Sequence, residues 1–247
     1  GNQLNPIFPV GSWNDVENGG AGIMSGIVEI SPPYYEFEGS IYFELDPSSW
    51  QEAQAAAEQL GGNLVSINSQ QEQDFIASTF ASVDDGEHGK WIGFTDKDQE
   101  GNWIWSDGSN VEFTNWNPNE PSNGGSSEHY GMMWANYGNQ LNPIFPVGSW
   151  NDVENGGAGI MSGIAEIPLF EFEDSIYLKL GQSTWEEAQA AAEELGGNLV
   201  SINSQAEQDF LVSTFLSNDD GEIGKWIGLN DKDHEGNWIW SDGSSFD

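Results

Sequence analysis

The sequence predicts an α+β fold built in tandem repeats, and three observations predict it. Residues 1–30 recur at 138–167 with one difference, Val28 against Ala165. The stretch from Ser40-Ile41-Tyr42 to Gly108-Ser109 recurs, with substitutions, from Ser175-Ile176-Tyr177 to Gly243-Ser244. Within each period two helix signatures come first and strand-like segments follow, the order of an α+β domain. The first spacing is 137 residues (Gly1 to Gly138) and the second 135 (Ser40 to Ser175), because Ser31-Pro32-Pro33-Tyr34 gives way to the shorter Pro168-Leu169. These proline segments read as linkers, and the period is an ordinary domain length. Three pieces are therefore expected: residues 1–30 as the C-terminal part of one unit, 34–167 as a complete unit, and 169–247 as the N-terminal part of another. The last lacks a counterpart of Phe113–Tyr137.

The elements follow in order along the complete unit. Glu36 to Leu45 alternates apolar and polar residues, which predicts a strand. Ser49-Trp50-Gln51-Glu52 is a capping box, in which serine and glutamate each satisfy an amide at a helix start. The alanine-rich run Ala53 to Leu60 continues that helix, and Gly61-Gly62 ends it. Asn63 to Ile67 reads as a short strand. Ser69-Gln70-Gln71-Glu72 is a second box, opening a helix through Phe75, Ile76 and Phe80; both boxes recur, at Thr184 to Glu187 and Ser204 to Glu207. Trp91 to Phe94 and Asn102 to Trp105 are predicted strands around a turn at Glu100-Gly101. Residues 113–128 form a long polar loop, uncommon without a function. Strands near His129 to Trp134, Ser149 to Val153 and Gly159 to Ile167 finish the unit.

Charge narrows the partners. The chain carries 41 Asp and Glu against 5 Lys and Arg, for a net charge of −36. That argues against nucleic acid and anionic membrane surfaces, which need a basic face. It suits a protein that holds divalent cations. Aromatics reach 13%, with 12 Trp, so the acidity does not signal disorder. There is no cysteine, which excludes disulfides and thiol chemistry, and no apolar run of membrane-spanning length. No Ser/His/Asp arrangement or phosphate-cradling loop stands out, and the run Asn155 to Gly159 looks like turn chemistry, so no enzyme is expected. The tryptophans are expected mostly in the core, Trp116 and Trp134 either there or flanking the long-loop site, and Asp84-Asp85 in a solvated loop.

The two helices, Trp91-Ile92-Gly93-Phe94, Glu100-Gly101-Asn102-Trp103, Trp105-Ser106-Asp107-Gly108, Asn115-Trp116, Glu120-Pro121-Ser122, Glu128 and Trp150-Asn151-Asp152 together resemble the C-type lectin-like domain. The resemblance spans the complete unit and both partial ones. The missing cysteines depart from animal members, which usually carry two disulfides, and match the cysteine-free bacterial and cyanobacterial type. The resemblance implies a calcium site made by Glu120, Ser122, Glu128, Asn151 and Asp152, with the Glu120-Pro121 bond cis. Calcium asks for six to eight oxygen ligands, and Glu120, Ser122 and Glu128 lie within nine residues of one another in sequence. Carbohydrate binding is then implied through Glu120, Ser122, Glu128 and Asn151, with preference for mannose- or glucose-type hydroxyls. Ser122 stands where the family has an amide, and it reaches less far and donates only one hydrogen. Asp96 and Glu100 match ligands of an auxiliary calcium site, where Asn123 and His129 replace carboxylates; Asp231 and Glu235 repeat the pair, and Asn14 and Asp15 match Asn151 and Asp152.

These features predict a calcium-dependent carbohydrate-binding repeat of an extracellular or cell-surface adhesin, with a glycan or surface polysaccharide as partner. The alternative is a structural repeat of a fibre, sheath or surface layer, with calcium structural. In it, neighbouring copies would complete each other by strand addition, since residues 1–30 carry strands that the head at 169–247 lacks.

Overall fold

The computed structural model describes residues 12–16, 24–30, 34–137, 144–157, 161–216 and 221–244. Its strands, numbered along the chain, are β1 (Met24–Ile30), β2 (Tyr35–Phe37), β3 (Ser40–Glu44), β4 (Asn63–Leu64), β5 (Gly89–Thr95), β6 (Ile104–Trp105), β7 (Tyr130–Trp134) and β8 (Trp150–Val153). They continue as β9 (Met161–Pro168), β10 (Phe170–Phe172), β11 (Ser175–Gln182), β12 (Asn198–Leu199), β13 (Gly224–Trp226), β14 (Leu229–Asn230) and β15 (Ile239–Trp240). The α-helices are α1 (Trp50–Gln59), α2 (Gln70–Ile76), α3 (Trp185–Glu194) and α4 (Gln205–Leu211). Two units form: residues 34–168, and a discontinuous one from 1–33 and 169–247.

Local chemistry explains both the agreements and the departures. The strand predicted over Glu36 to Leu45 is a hairpin. Glu38 and Gly39 sit at φ 48° and 88°, the paired positive values that a two-residue turn requires. At α1 the capping box is complete: the Ser49 hydroxyl accepts from the Glu52 amide and Glu52 accepts from the Ser49 amide. At α2 it is half-made. Ser69 caps the Glu72 amide, but the Glu72 carboxylate accepts from the Asn68 amide (2.9 Å) and the Tyr42 hydroxyl (3.2 Å). Glu207 repeats this with Asn203 and Tyr177. The second helix continues as a π-helical turn over Ala77–Ala81.

In the 34–168 unit the strand order is β2-β3-β9-β5-β7-β8, with β4 on β9 and β6 on β5. Strand β9 is its keystone, antiparallel to β3 and β4 and parallel to β5. Gly62 must be glycine here, since a Cβ would lie 2.0 Å from the Glu166 carbonyl oxygen of β9. Tryptophans fill the core, and three of them place their N–H on a partner, whereas the Trp105 and Trp134 N–H groups are buried without one. Trp50 donates to the Ile92 carbonyl, Trp91 to the Ser48 carbonyl and Trp150 to the Gln73 side chain. Trp116 packs on Trp103, Phe94 and Trp150, and Trp134 on Phe145.

The discontinuous unit uses the same plan with β1 as keystone. Strand β1 pairs antiparallel with β11 and β12 and parallel with β13. The single difference between β1 and β9 is matched across the sheet: Val28 faces Leu178, whereas Ala165 faces Phe43. The smaller strand residue meets the larger partner.

One polar cluster runs from the core to the surface. Lys90 on β5 is fully buried, and its ammonium reaches Glu44 (2.5 Å), Asp85 (2.5 Å), Glu87 (3.0 Å) and the Ser162 hydroxyl (3.2 Å). Asp84 and Asp85 lie in an exposed loop, as read, and Asp85 also pairs with Lys90 from there. Burial works against charge on Lys90, but hydrogen bonds to Asp85, Glu44 and Glu87 hold its pKa above the ordinary lysine value.

Candidate functional site

The long loop is anchored at its base by main-chain pairing with β8. The Trp150 amide donates to the Asn115 carbonyl and the Asn117 amide donates to the Trp150 carbonyl, each 2.8 Å. Asn115 and Asn117 add side-chain bonds to the Gly148 and Ile144 carbonyls. The anchoring tryptophans thus fix the segment that precedes Glu120. Beyond them the loop turns tightly, with positive φ at Asn119, Asn123 and Ser126 and a cis Glu120-Pro121 bond, as the resemblance implied.

Asp152 on β8 is the pivot. It is fully buried, and its two oxygens separately accept the Ser122 amide (2.9 Å) and the Asn123 amide (2.7 Å). This folds the loop's tip over the strand. Glu120 lies beside it, hydrogen-bonded with the Ser122 hydroxyl and adjacent to Asp152. Its Oε2 is buried without a partner. Burial, followed by the proximity of Asp152, pushes the Glu120 carboxyl above the ordinary carboxylate range, against the Ser122 hydrogen bond. Two carboxylates and a hydroxyl thus converge where a positive charge would relieve both the repulsion and the orphaned oxygen.

The structure gathers the five predicted residues unequally. Glu120, Ser122 and Asp152 form one cluster. Glu128 accepts instead from the Gly124 amide, and its own amide donates to the Asn123 side chain at 3.3 Å. Asn151 spends its amide nitrogen on the Asp152 carbonyl (3.0 Å), which keeps its amide oxygen as an acceptor. Sequence reading missed Glu154, which accepts from the Ser127 hydroxyl at 2.6 Å and braces the loop's exit. Nothing in its spacing marked it.

The second predicted group is changed in membership. Asp96, Glu100 and His129 each offer an atom within 4.8 Å of the others. The His129 Nδ1 lies 3.1 Å from Asp96 Oδ1 and 3.6 Å from Glu100 Oε2. Asn123 is directed to Glu128. In the discontinuous unit Asp231 keeps the bond from the following glycine amide that Asp96 has, 2.7 Å in both. Asn14 and Asp15 are exposed. Among the described residues no helix is long and apolar enough to cross a membrane.

Comparison with known proteins identifies a family. The family model described as the lectin C-type domain matches residues 46–152 and 181–247. The low affinity immunoglobulin epsilon Fc receptor of Mus musculus is 41% identical over 111 residues, 45% of this chain and 29% of that protein. The C-type mannose receptor 2 of Mus musculus is 31% identical over 219 residues, 79% of this chain and 14% of the receptor. The chain thus spans less than a third of the length of either relative. Among solved structures, the cow C-type carbohydrate-recognition domain of CD23, determined in the presence of GlcNAc2Man3 oligosaccharide, shares 30% identity. That match covers 57% of this chain and 99% of the cow domain, with a TM-score of 0.47.

Proposed function

We propose, from the premise that this chain belongs to the C-type lectin domain family, that its long-loop site binds carbohydrate through calcium. The single observation that carries this is Glu120: a buried, partnerless carboxylate oxygen beside the fully buried Asp152. Glu120, Ser122, Glu128, Asn151 and Asp152 would hold the ion. All offer oxygen, as a hard dication requires. When bound, calcium supplies open coordination positions for two neighbouring sugar hydroxyls.

The chain's own residues then set selectivity. Glu120, Glu128 and the Asn151 amide oxygen accept hydroxyl hydrogens, and Ser122 donates to a hydroxyl oxygen. A glutamate-first triplet fits the equatorial hydroxyl pair of mannose- or glucose-type sugars. Ser122 contributes one donor where an amide has two, so affinity per site is low and repeated units would compensate through effective concentration. That arrangement suits an extracellular or cell-surface adhesin whose partner is a glycan or surface polysaccharide.

The test is titration calorimetry of the chelator-treated chain with calcium, followed by mannose-type and galactose-type sugars. Calcium binding followed by mannose-type binding, both lost in Glu120→Ala, is the expected result. Calcium binding with no response to any sugar would refute the lectin reading.

A second reading is favoured by β1. That strand closes a unit whose other strands lie beyond residues 34–168. The same strand could close that groove in a neighbouring copy, giving a strand-exchanged assembly of a fibre or surface layer. Sedimentation across protein concentrations tests it; a monomer at every concentration and calcium level rejects it.

A further inference from the structure

The group Asp96–Glu100–His129 has the donor set of a different metal. We propose that it is a second metal site, selective for a borderline transition-metal dication of the zinc class rather than for calcium.

The three side chains come from two segments that the backbone locks together. Asp96 opens the turn after β5, and its amide donates to the His129 carbonyl at 3.2 Å; the Thr95 hydroxyl donates to the same carbonyl at 2.8 Å. The Asp96 side chain is completely buried, and the Gly101 amide holds its Oδ2 at 2.7 Å. That bond aims Oδ1 at the imidazole. Glu100 closes the group from the solvent side, with 56% of its side chain exposed. One buried anchor and one open flank leave room for water in the remaining coordination positions.

The chemistry discriminates between ions. Calcium needs six to eight hard oxygens. Here the group offers two carboxylates and an imidazole nitrogen, fewer oxygens than calcium asks for and a donor that suits zinc. Zinc takes nitrogen and carboxylate oxygen together, with three protein ligands and a water. The neutral imidazole with its proton on Nε2 presents Nδ1 as a ligand. Since His129 directly follows Glu128, an ion held here would also fix the peptide that carries a residue of the loop site.

The experiment uses the chelator-stripped full chain. Zinc is titrated by calorimetry and cobalt by its visible d–d absorption, a readout independent of sugar binding. The expected result is one tight zinc equivalent, not displaced by excess calcium and retained in Glu120→Ala and His234→Ala. His129→Ala weakens it by more than about 10–100-fold, the range that losing even an outer-shell partner produces, and His129→Asp restores competition by calcium. Circular dichroism confirms that each variant is folded, and His129→Gln replaces any that is not. Absence of tight zinc binding would mean an imidazole–carboxylate hydrogen bond only, and overturns the proposal. Zinc binding that follows His234, or survives in both His129→Ala and His129→Gln, overturns it equally.

Discussion

Replacing Lys90 by methionine tests how much the buried cation contributes to the 34–168 unit. Methionine keeps the length and apolar volume of the stem but removes the ammonium. Glu44, Asp85 and Glu87 would then face one another without a counter-charge, and their side chains are 40%, 30% and 9% exposed. Glu44 and Asp85 can turn towards water. Glu87 cannot turn freely, because its carboxylate also accepts the Ser162 amide of β9 at 2.7 Å. Removing one partner of a buried ion pair costs about 3–5 kcal/mol, and the two semi-exposed acids place this case near the lower figure. That is a large share of the roughly 5–15 kcal/mol that holds a domain together. Urea unfolding followed by tryptophan fluorescence measures the loss, and hydrogen exchange of the β5 amides localises it.

The pH dependence has a definite sign. The Lys90 pKa is raised, so its contribution is complete below the ordinary lysine value and disappears as pH rises through the folded one. Burial opposes ionisation of Asp85, yet hydrogen bonds from Lys90 and the Glu87 amide hold its pKa below the ordinary value; its contribution is therefore complete above the ordinary carboxylate value and lost as pH falls through the lowered one. In Lys90→Met the deficit shrinks as pH falls, because the stranded carboxylates take up protons. Adding Glu87→Gln should recover at least about 1 kcal/mol as a coupling energy. A Lys90→Met deficit below about 1 kcal/mol, or no coupling with Glu87→Gln, would refute the reasoning.

Three further outcomes are expected. Glu166 is pushed above the ordinary carboxylate value by burial, despite hydrogen bonds from the Ser66 amide and the Ser40 hydroxyl. The native state therefore holds its proton more tightly than the unfolded chain, and stability falls as pH rises from the ordinary carboxylate value through the raised one. Glu166→Gln should flatten that decline in thermal melts, and an unchanged pH profile would contradict it. Gly62→Ala forces a Cβ against the Glu166 carbonyl and should cost about 1–3 kcal/mol or more, measured by urea unfolding. Val28→Ala removes two buried methyl groups, at about 1–2 kcal/mol. Combining it with Leu178→Phe, the pairing already present at Ala165 and Phe43, should recover part of that loss, and a worse-than-additive double variant would count against the size match.

Local signals made the helices and the tandem plan legible. The Ser49-to-Glu52 box and the glycine pair after Leu60 act through backbone amides a few residues away, so sequence alone carries them. The departures arise where the deciding contact is distant. Glu72 abandons its own box because Tyr42 and the Asn68 amide reach it first. Asp85, though exposed, gains an ion pair because Lys90, on the following strand, reaches it. The candidate site divides in the same way. The cis bond and the closeness of Glu120 to Ser122 belong to one short segment. The pivotal role of Asp152 depends on strand pairing between β7 and β8, and His129 joins Asp96 only because a turn returns the chain to β7.

The near-identity of β1 and β9 bears on how such a chain can change its number of repeats. Strand β9 closes a groove whose walls, β3 to β5, precede it, and β1 closes one whose walls, β11 to β13, follow it. Gain or loss of one whole period, cut at any phase, therefore leaves every groove with a strand of matching register. Copy number can vary by recombination between repeats without any new interface being invented. Only position 28 or 165 would need adjustment, as valine or alanine, to the size of the residue opposite.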